Sequence, residues 1–535
     1  MKKETYIKKQ AGWLTAGQIG RRQFIMSALA AGVALPSALS MADKAMAAAP
    51  KKGGKFRHGS AYGSTTDALD PGTAENAFTQ LVIFGRGNCL TEVSNDGSLI
   101  PDIAESFESS DGAKTWAFTL RKGVEFHDGR TMTADDVIAT FNYHRGEESK
   151  SAAKGLLTAI SDIRKDGDKV IFELSGGNAD FPVIVSDYHL MILPSKDGAV
   201  EDANTMIGTG GFVLNSFEAG VRASFTRNPN YHKEGRAHFD EIEIISLLDT
   251  TARQNAVMNG EVDMIDNVDA KTVALLGRVP SLNILETTGT QHYTFPMRLD
   301  VEPFGNYDLR MALKFAIKRQ ELVDKILLGH GVAGNDVPVN ASMPYFDANL
   351  PVHEFDADKA AEHYKKSGHS GPIQLSVSDA AFAGAVDAAQ LIAASAKEAG
   401  IDIEIVREPK DGYWSNVWNK KGWCACYWGG RPTQDWMYSA AYTKDTEWND
   451  TAWKDTEAAG KFNDVVVSAR SETDAAKRGE LYSEAQRLLQ DDGGAIVAMW
   501  ANYIHAHSKA LAHDEQVGAN WVDDGLKLFE RWWFA

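Results

Sequence analysis

The run from Ala104 to Phe141, AESFESSDGAKTWAFTLRKGVEFHDGRTMTADDVIATF, constrains the fold of this chain more than any other stretch. Its order is strand, turn, strand, short loop and helix. Ser109, Ser110, Asp111 and Gly112 supply the first turn, and Thr115 to Leu120 alternates apolar and polar residues as a half-buried strand does. His127, Asp128 and Gly129 make a second turn. Thr133 then stands where an N-cap belongs, ahead of a helix through Val137 and Phe141. Nothing in the run is chemistry; it is scaffold.

The rest of the chain sets bounds. At 535 residues it holds two or three domains' worth of core. An apolar share of 44%, with 10% aromatic, excludes a disordered chain. The net charge of −18 argues against a nucleic-acid partner, which would call for a basic surface. No apolar stretch has the length and freedom from charge that spanning a bilayer requires.

The first fifty residues differ in kind. Arg21 and Arg22 precede Phe24 to Ala38, a mildly apolar run rich in Ala, Gly and Ser, and Ala45-Met46-Ala47 follows as a small-x-small cleavage site. Residues 1–47 are thus expected to be an export signal, which resembles the twin-arginine type. The chain beyond it is expected in the periplasm. Three cysteines, Cys89, Cys424 and Cys426, are too few for a disulfide framework. Cys424 and Cys426 stand two apart, a poor spacing for bridging each other, so buried or free thiols are expected.

Strands and helices alternate without a repeat or low-complexity linker, which indicates an α/β fold. The run 104–141 resembles the signature of the family 5 (peptide/nickel/opine type) extracytoplasmic solute-binding proteins of ABC importers. Gly208-Thr209-Gly210-Gly211-Phe212 resembles that family's GTGPY strand start. Arg227-Asn228-Pro229-Asn230-Tyr231 with Phe239-Asp240-Glu241-Ile242 resembles its RNPxY…LDEI block. Tyr307 to Leu328, after Pro303-Phe304, resembles its long helix. Leu309, Leu313, Ile317 and Leu328 keep helical spacing there, with Gly329 just beyond. Near the C-terminus, Ser471 and Asp474 suit the cap of a helix bearing Leu481, Ala485, Leu488 and Leu489. Gly493-Gly494 break it before a strand from Ala495 to Trp500.

The resemblance implies a two-lobe periplasmic-binding-protein fold, type II-like, whose first lobe carries an extra subdomain. Lobe I is expected at residues 50–300 plus 495–535, with the interpolated subdomain at 96–204, and lobe II at 301–494. It also implies a monomer working with ABC permease and ATPase subunits, without catalysis and without a cofactor.

Several motifs invite other readings. Gly329-His330-Gly331-Val332-Ala333-Gly334 fits GxGxxG but follows a helix, whereas a dinucleotide fingerprint follows a strand and opens a helix. Ser151-Ala152-Ala153-Lys154 fits SxxK without its SDN and KTG partners. His505 and His507 share a strand face but lack a third ligand among their sequence neighbours, so they are read as surface or hydrogen-bonded histidines. The acid-rich stretch 445–455 is read as solvated loop without calcium-loop spacing.

The aromatic stretch stands apart. Trp414, Trp418, Trp423, Tyr427, Trp428, Trp436, Tyr438 and Tyr442 crowd around Gly429-Gly430-Arg431-Pro432. Aromatics with polar edges line ligand clefts, and also fill cores. The loop from Tyr427 to Asp435 is expected to touch ligand, with Trp414 and Trp428 as aromatic walls. Gly422-Trp423-Cys424-Ala425-Cys426-Tyr427 resembles the peptide binders' GWxxDY, whose aspartate pairs with the peptide amino group. Cys426 stands at that position and cannot supply a charge-assisted bond to an ammonium. Asp435 is a candidate to take over that role. Arg431 is placed to hold a carboxylate bidentately, or to make an ion pair within its loop. His292 and Arg298, on the strand 291–298 leading to the lobe crossing, and Tyr62, after the first mature strand, complete the expected site. The expected cargo is a short peptide or amino-acid-derived compound. An opine-like or otherwise modified small molecule or a nickel chelate is the alternative, and an exported hydrolase or metalloenzyme the rival from another class.

Overall fold

Two long antiparallel strands, Leu282–Thr294 and Val497–Ser508, carry the backbone from one lobe to the other. The computed structural model describes residues 50–535 except 75, 410–412, 445 and 447, together with 6–7, 9–10, 21–31, 33 and 38–39. The strands belong to a nine-stranded sheet ordered Phe212–Glu218, Arg222–Arg227, Glu241–Ser246, Lys55–Ser60, Met264–Ile265, Val497–Ser508, Leu282–Thr294 and Cys426–Trp428, with Gly331–Ala333 as a side branch. Along Val497–Ser508 the neighbour changes. Its first half pairs with Gly331–Ala333 and its second half with Met264–Ile265. Between Thr288 and His292 the register with its partner is interrupted, a local break in the ladder where the two lobes join.

The buried residues follow this division. One core gathers Phe56, Phe78, Phe225, Ile242 and Trp532 around the first half of the sheet. A separate core (Phe118, Val137, Phe141, Phe172 and Phe181) belongs to the four-stranded subdomain built on the run 104–141. The other lobe holds two, one around Leu313, Leu375, Ile392 and Met499 and one around Trp428, Tyr438, Trp453 and Phe462.

In the subdomain, strands Ala104–Ser110 and Thr115–Leu120 form the expected hairpin, with Trp116, Phe118 and Leu120 buried. Asp111, Gly112 and Ala113 all adopt positive φ in its turn. Helix Ala134–Arg145 begins at Thr133, whose backbone N–H and hydroxyl donate to Asp136 at 2.8 and 2.9 Å. Local chemistry decides this unit.

The long helix expected over Tyr307 to Leu328 is two helices, Tyr307–Phe315 and Arg319–Ile326. Side chains replace the intrahelical bonds at the break. Arg319 Nη1 donates to the Lys314 carbonyl at 3.1 Å and Ser395 Oγ to that of Ala316 at 2.7 Å. Helix Ala475–Asp492 is capped by Asp474 as expected, but Ser471 ends the preceding helix Glu457–Ser471 instead of sharing that cap. The following strand runs on from Val497 to Ser508, well past Trp500. Gly331–Ala333, inside the GxGxxG match, is a strand, which removes the geometry a dinucleotide would need. Arg21 and Arg22 open helix Arg21–Ala30, and the expected cleavage site at 45–47 lies outside the described residues. Cys89, Cys424 and Cys426 are all buried and unbridged.

Candidate ligand cleft

Beside the strand crossing, a cavity of about 490 Å³ opens between the lobes. Tyr62, Asn267, Tyr503 and Val522 line it from lobe I, Leu327, His330 and Ala383 from lobe II, and Tyr293 from the crossing strand itself. Strand alternation explains this lining: Tyr293 points to the cavity while His292 and Thr294 turn into protein. Tyr293 stacks on Phe382 with ring centroids 4.1 Å apart and planes at 4°, which fixes the ring. Burial pushes the phenols of Tyr293 and Tyr503 up to about 12. It raises Tyr62 too, with Asp266 and Asp523 adding to the effect. Tyr427 pairs with Tyr293 across the strand ladder, and its phenol adds to the rise at both Tyr62 and Tyr293. Four neutral hydroxyls therefore gather at one place.

The strand Cys426–Trp428 alternates buried, exposed, buried, so only Tyr427 of the three faces out. Trp414 is 40% exposed and meets Tyr427 edge to face at 5.5 Å. Trp428 is 6% exposed and packs in the lobe II core, where its indole N–H donates to Asp450 at 3.3 Å. The expectation that Trp428 forms a ligand wall is corrected: strand register turns it inward.

Asp450 is the residue that the sequence reading missed. It lies in the stretch read as solvated loop, yet it is 2% exposed. Its Oδ2 accepts from the indoles of Trp418 at 3.1 Å and Trp428 at 3.3 Å, and the Cys426 thiol lies against it. Burial pushes its carboxyl up to about 6, while these donors pull it down. The only sequence signal was the tryptophan-rich surroundings on either side. A carboxylate thus lies beside Cys426, although Cys426 itself is buried and its thiol pKa is raised further by burial.

Arg431 is a half-buried guanidinium whose Nη1 donates to the Gly430 carbonyl at 2.9 Å. Its Nε has no hydrogen-bond partner among the described residues, and no carboxylate there makes a salt bridge with it. Burial lowers its pKa, with Tyr188, Asp187 and Tyr503 opposing. The alternative of an ion pair within its loop is therefore not what forms. Gly430 holds the loop close to lobe I, since a Cβ there would lie 1.9 Å from Thr290 Oγ1 and 2.7 Å from the Asn520 carbonyl. His292 is near enough to Arg431 for the guanidinium to lower its pKa, after burial, to about 4. Its Nδ1 lies 3.0 Å from the Thr290 carbonyl, and its Nε2 is buried without a partner among the described residues.

Two expected residues stand elsewhere. Asp435 opens helix Gln434–Ala441 and pairs with Arg470 at 2.9 Å, so its charge is already answered. Arg298 spends its guanidinium on Asp300 at 2.7 Å and on Asn419, beside a separate surface hollow of about 230 Å³. Both were placed by sequence proximity, and both are turned aside by nearer partners of opposite charge or polarity.

The matching family model, "Bacterial extracellular solute-binding proteins, family 5 Middle", covers residues 98–450. A di/tripeptide-binding protein of Pseudomonas aeruginosa is 27% identical over 468 residues, covering 80% of this chain and 84% of the relative. The nickel-binding periplasmic protein of Escherichia coli is 24% identical over 371 residues, covering 64% of this chain and 69% of the relative. Among solved structures, the periplasmic binding protein AgaA of A. tumefaciens R10 in complex with agropinic acid superposes with a TM-score of 0.74 at 22% identity, covering 90% of this chain and 99% of that one. The fold is thus the two-lobe arrangement of such binding proteins, and the chain belongs to the bacterial extracellular solute-binding proteins of family 5.

Proposed function

We propose that this chain captures a short peptide or an amino-acid-derived ligand carrying a carboxylate, closes its lobes over it, and delivers it to the permease of an ABC importer. The carrying observation is Arg431: a half-buried guanidinium with a buried, unpartnered Nε and no carboxylate partner among the described residues, in a loop held against the opposite lobe. A planar cation of this kind matches a carboxylate with two parallel hydrogen bonds. Tyr503, which acts on Arg431, also lines the cavity, where neutral tyrosine hydroxyls offer hydrogen bonds, and the Trp414–Tyr427 pair offers apolar faces. Closure adds no chemistry; the ligand shifts the lobes toward the closed form by binding it better. ATP hydrolysis belongs to a separate subunit, and this chain is not an enzyme in this reading.

An opine-like or otherwise modified amino-acid ligand is the second reading. It is favoured by Cys426, which replaces the amine-holding aspartate of the peptide binders with a buried neutral thiol. Residues 1–47 act, in the same proposal, as a twin-arginine-type signal that is removed on export.

Native mass spectrometry of protein purified gently from the periplasm tests the proposal. A discrete organic adduct bearing a carboxylate, released on denaturation, is expected. Ligand-free protein that shows no thermal shift with peptides, opines or metal chelates would count against it.

A further inference from the structure

Beneath the lobe I wall of the cleft lies a cluster that ligand capture does not use. His58 leaves strand Lys55–Ser60, His505 leaves strand Val497–Ser508, Asp266 follows strand Met264–Ile265, and Asp523 sits near the C-terminus. These side chains are 0 to 2% exposed. Ligand atoms of His58, Asp266 and Asp523 all lie within 4.8 Å of one another. Asp523 Oδ1 is 3.2 Å from His58 Nε2 and also 3.2 Å from His505 Nε2.

Hydrogen bonding accounts for only part of this convergence. The His58 contact has hydrogen-bond geometry, and both histidines act on Asp523 to hold its carboxyl below the usual range against burial. Among the described residues, His505 Nδ1 and Asp523 Oδ2 have no hydrogen-bond partner. Unsatisfied groups this deeply buried are costly. Two imidazole nitrogens each 3.2 Å from one carboxylate oxygen match the spacing of donors around a single ion. Tetrahedral ligands about 2.0–2.1 Å from zinc stand about 3.3 Å apart.

The backbone has been bent to bring Asp523 there. Asp523, Asp524 and Leu526 take φ of 55°, 56° and 64°, with Gly525 between them at 66°. Left-handed non-glycine residues cost about 1–2 kcal/mol each. Asp524 has its own use, in a 3.0 Å ion pair with Arg531 and a bond from the Trp532 indole, which anchors the turn. Asp523 is left pointing at the two histidines. Asp266 is oriented in turn by the Ala61 N–H at 2.6 Å and the Ser60 hydroxyl at 3.3 Å, the outer support that ligating carboxylates need.

We propose that His58, Asp266 and Asp523 form a buried site for a divalent transition-metal ion, with zinc the best match, and that the ion draws in His505, which lies 3.2 Å from Asp523 but outside the cluster of the other three, as the fourth ligand. Two carboxylates and two neutral imidazoles cancel the charge of such an ion and suit its borderline softness. Tyr62, Ile504 and Val522 line the cleft, the last two each one residue from a proposed ligand, so the ion would brace the lobe I wall against which the cargo is held. His507 is not a ligand; its ring packs on Trp532 and His513, and its Nδ1 lies 3.0 Å from the Ser508 carbonyl.

The test uses exported protein stripped with chelator, incubated with zinc and passed through gel filtration, with metal counted by mass spectrometry. Wild type and His507→Gln are expected to retain one zinc per chain and to gain thermal stability from it. His505→Gln and Asp523→Asn are expected to lose about 100-fold or more in affinity, beyond what loss of an outer-shell partner costs. Asparagine tolerates the left-handed backbone at 523, and His505→Gln, in a regular strand, provides the same test if Asp523→Asn does not fold. Retention of no zinc by folded wild type, or equal retention by wild type and His505→Gln, would overturn the site.

Discussion

Arg478 Nη2 lies 2.9 Å from Asp180 Oδ2, an ion pair that joins the lobe II helix Ala475–Asp492 to the subdomain of lobe I. Beside it, the Ala179 N–H donates to the Arg470 carbonyl at 2.6 Å. Both side chains of the pair are less than 10% exposed. The contact bridges the two lobes directly. Breaking a buried pair by removing one partner costs about 3–5 kcal/mol, because the other charge stays buried alone. Arg478→Gln is therefore expected to open the ligand-free protein and to weaken cargo binding at least about tenfold. Small-angle scattering and a binding titration check this. Unchanged scattering together with unchanged affinity would refute it.

Arg431 gives a sharper test of cargo chemistry. Lysine keeps the charge but loses the planar fork. Arg431→Lys is expected to weaken a carboxylate ligand by about tenfold or more, with Arg431→Gln weaker still. Equal binding by wild type and the lysine variant, measured by calorimetry, would reject bidentate contact.

Tyr427 and Trp428 are neighbours with opposite fates. Trp428→Ala removes an indole from the lobe II core and leaves Asp450 short of a donor. It is expected to destabilise the fold by about 3–5 kcal/mol, as large-to-small core changes of aromatics do. Tyr427, 43% exposed, is expected to lose cargo affinity on mutation to alanine with little change in stability. Denaturant unfolding separates the two, and the opposite pattern would show that the register has been misread.

Asp450 predicts a pH dependence. Its folded pKa, about 6, lies above the ordinary 3.8, so the group favours the fold at low pH and that contribution is lost as pH rises through about 6. A shift of two units corresponds to about 3 kcal/mol at most. Asp450→Asn keeps an acceptor for both indoles but cannot ionise. The stability of wild type relative to this variant is expected to fall from pH 4 to pH 7, most steeply between the two pKa values. A flat difference in thermal midpoints across that range would refute the assignment.

The hairpin and capped helix of 104–145 were legible because turn residues, alternation and capping act within a few residues of each other. The same holds for the Asp474 cap and the break at Gly493-Gly494. The sequence by itself also determined the family pattern and the aromatic loop around Arg431. Only the tertiary structure decided which side chains of that loop face the cleft. Trp428 turned inward and Asp435 paired with Arg470 because burial and charge pairing depend on residues well separated along the chain, whereas Arg298 is held by its near neighbour Asp300 as well as by the distant Asn419. Asp450 looked solvated for the same reason. His58, Asp266, His505 and Asp523 lie up to 465 positions apart, and sheet order, not spacing, brings them together.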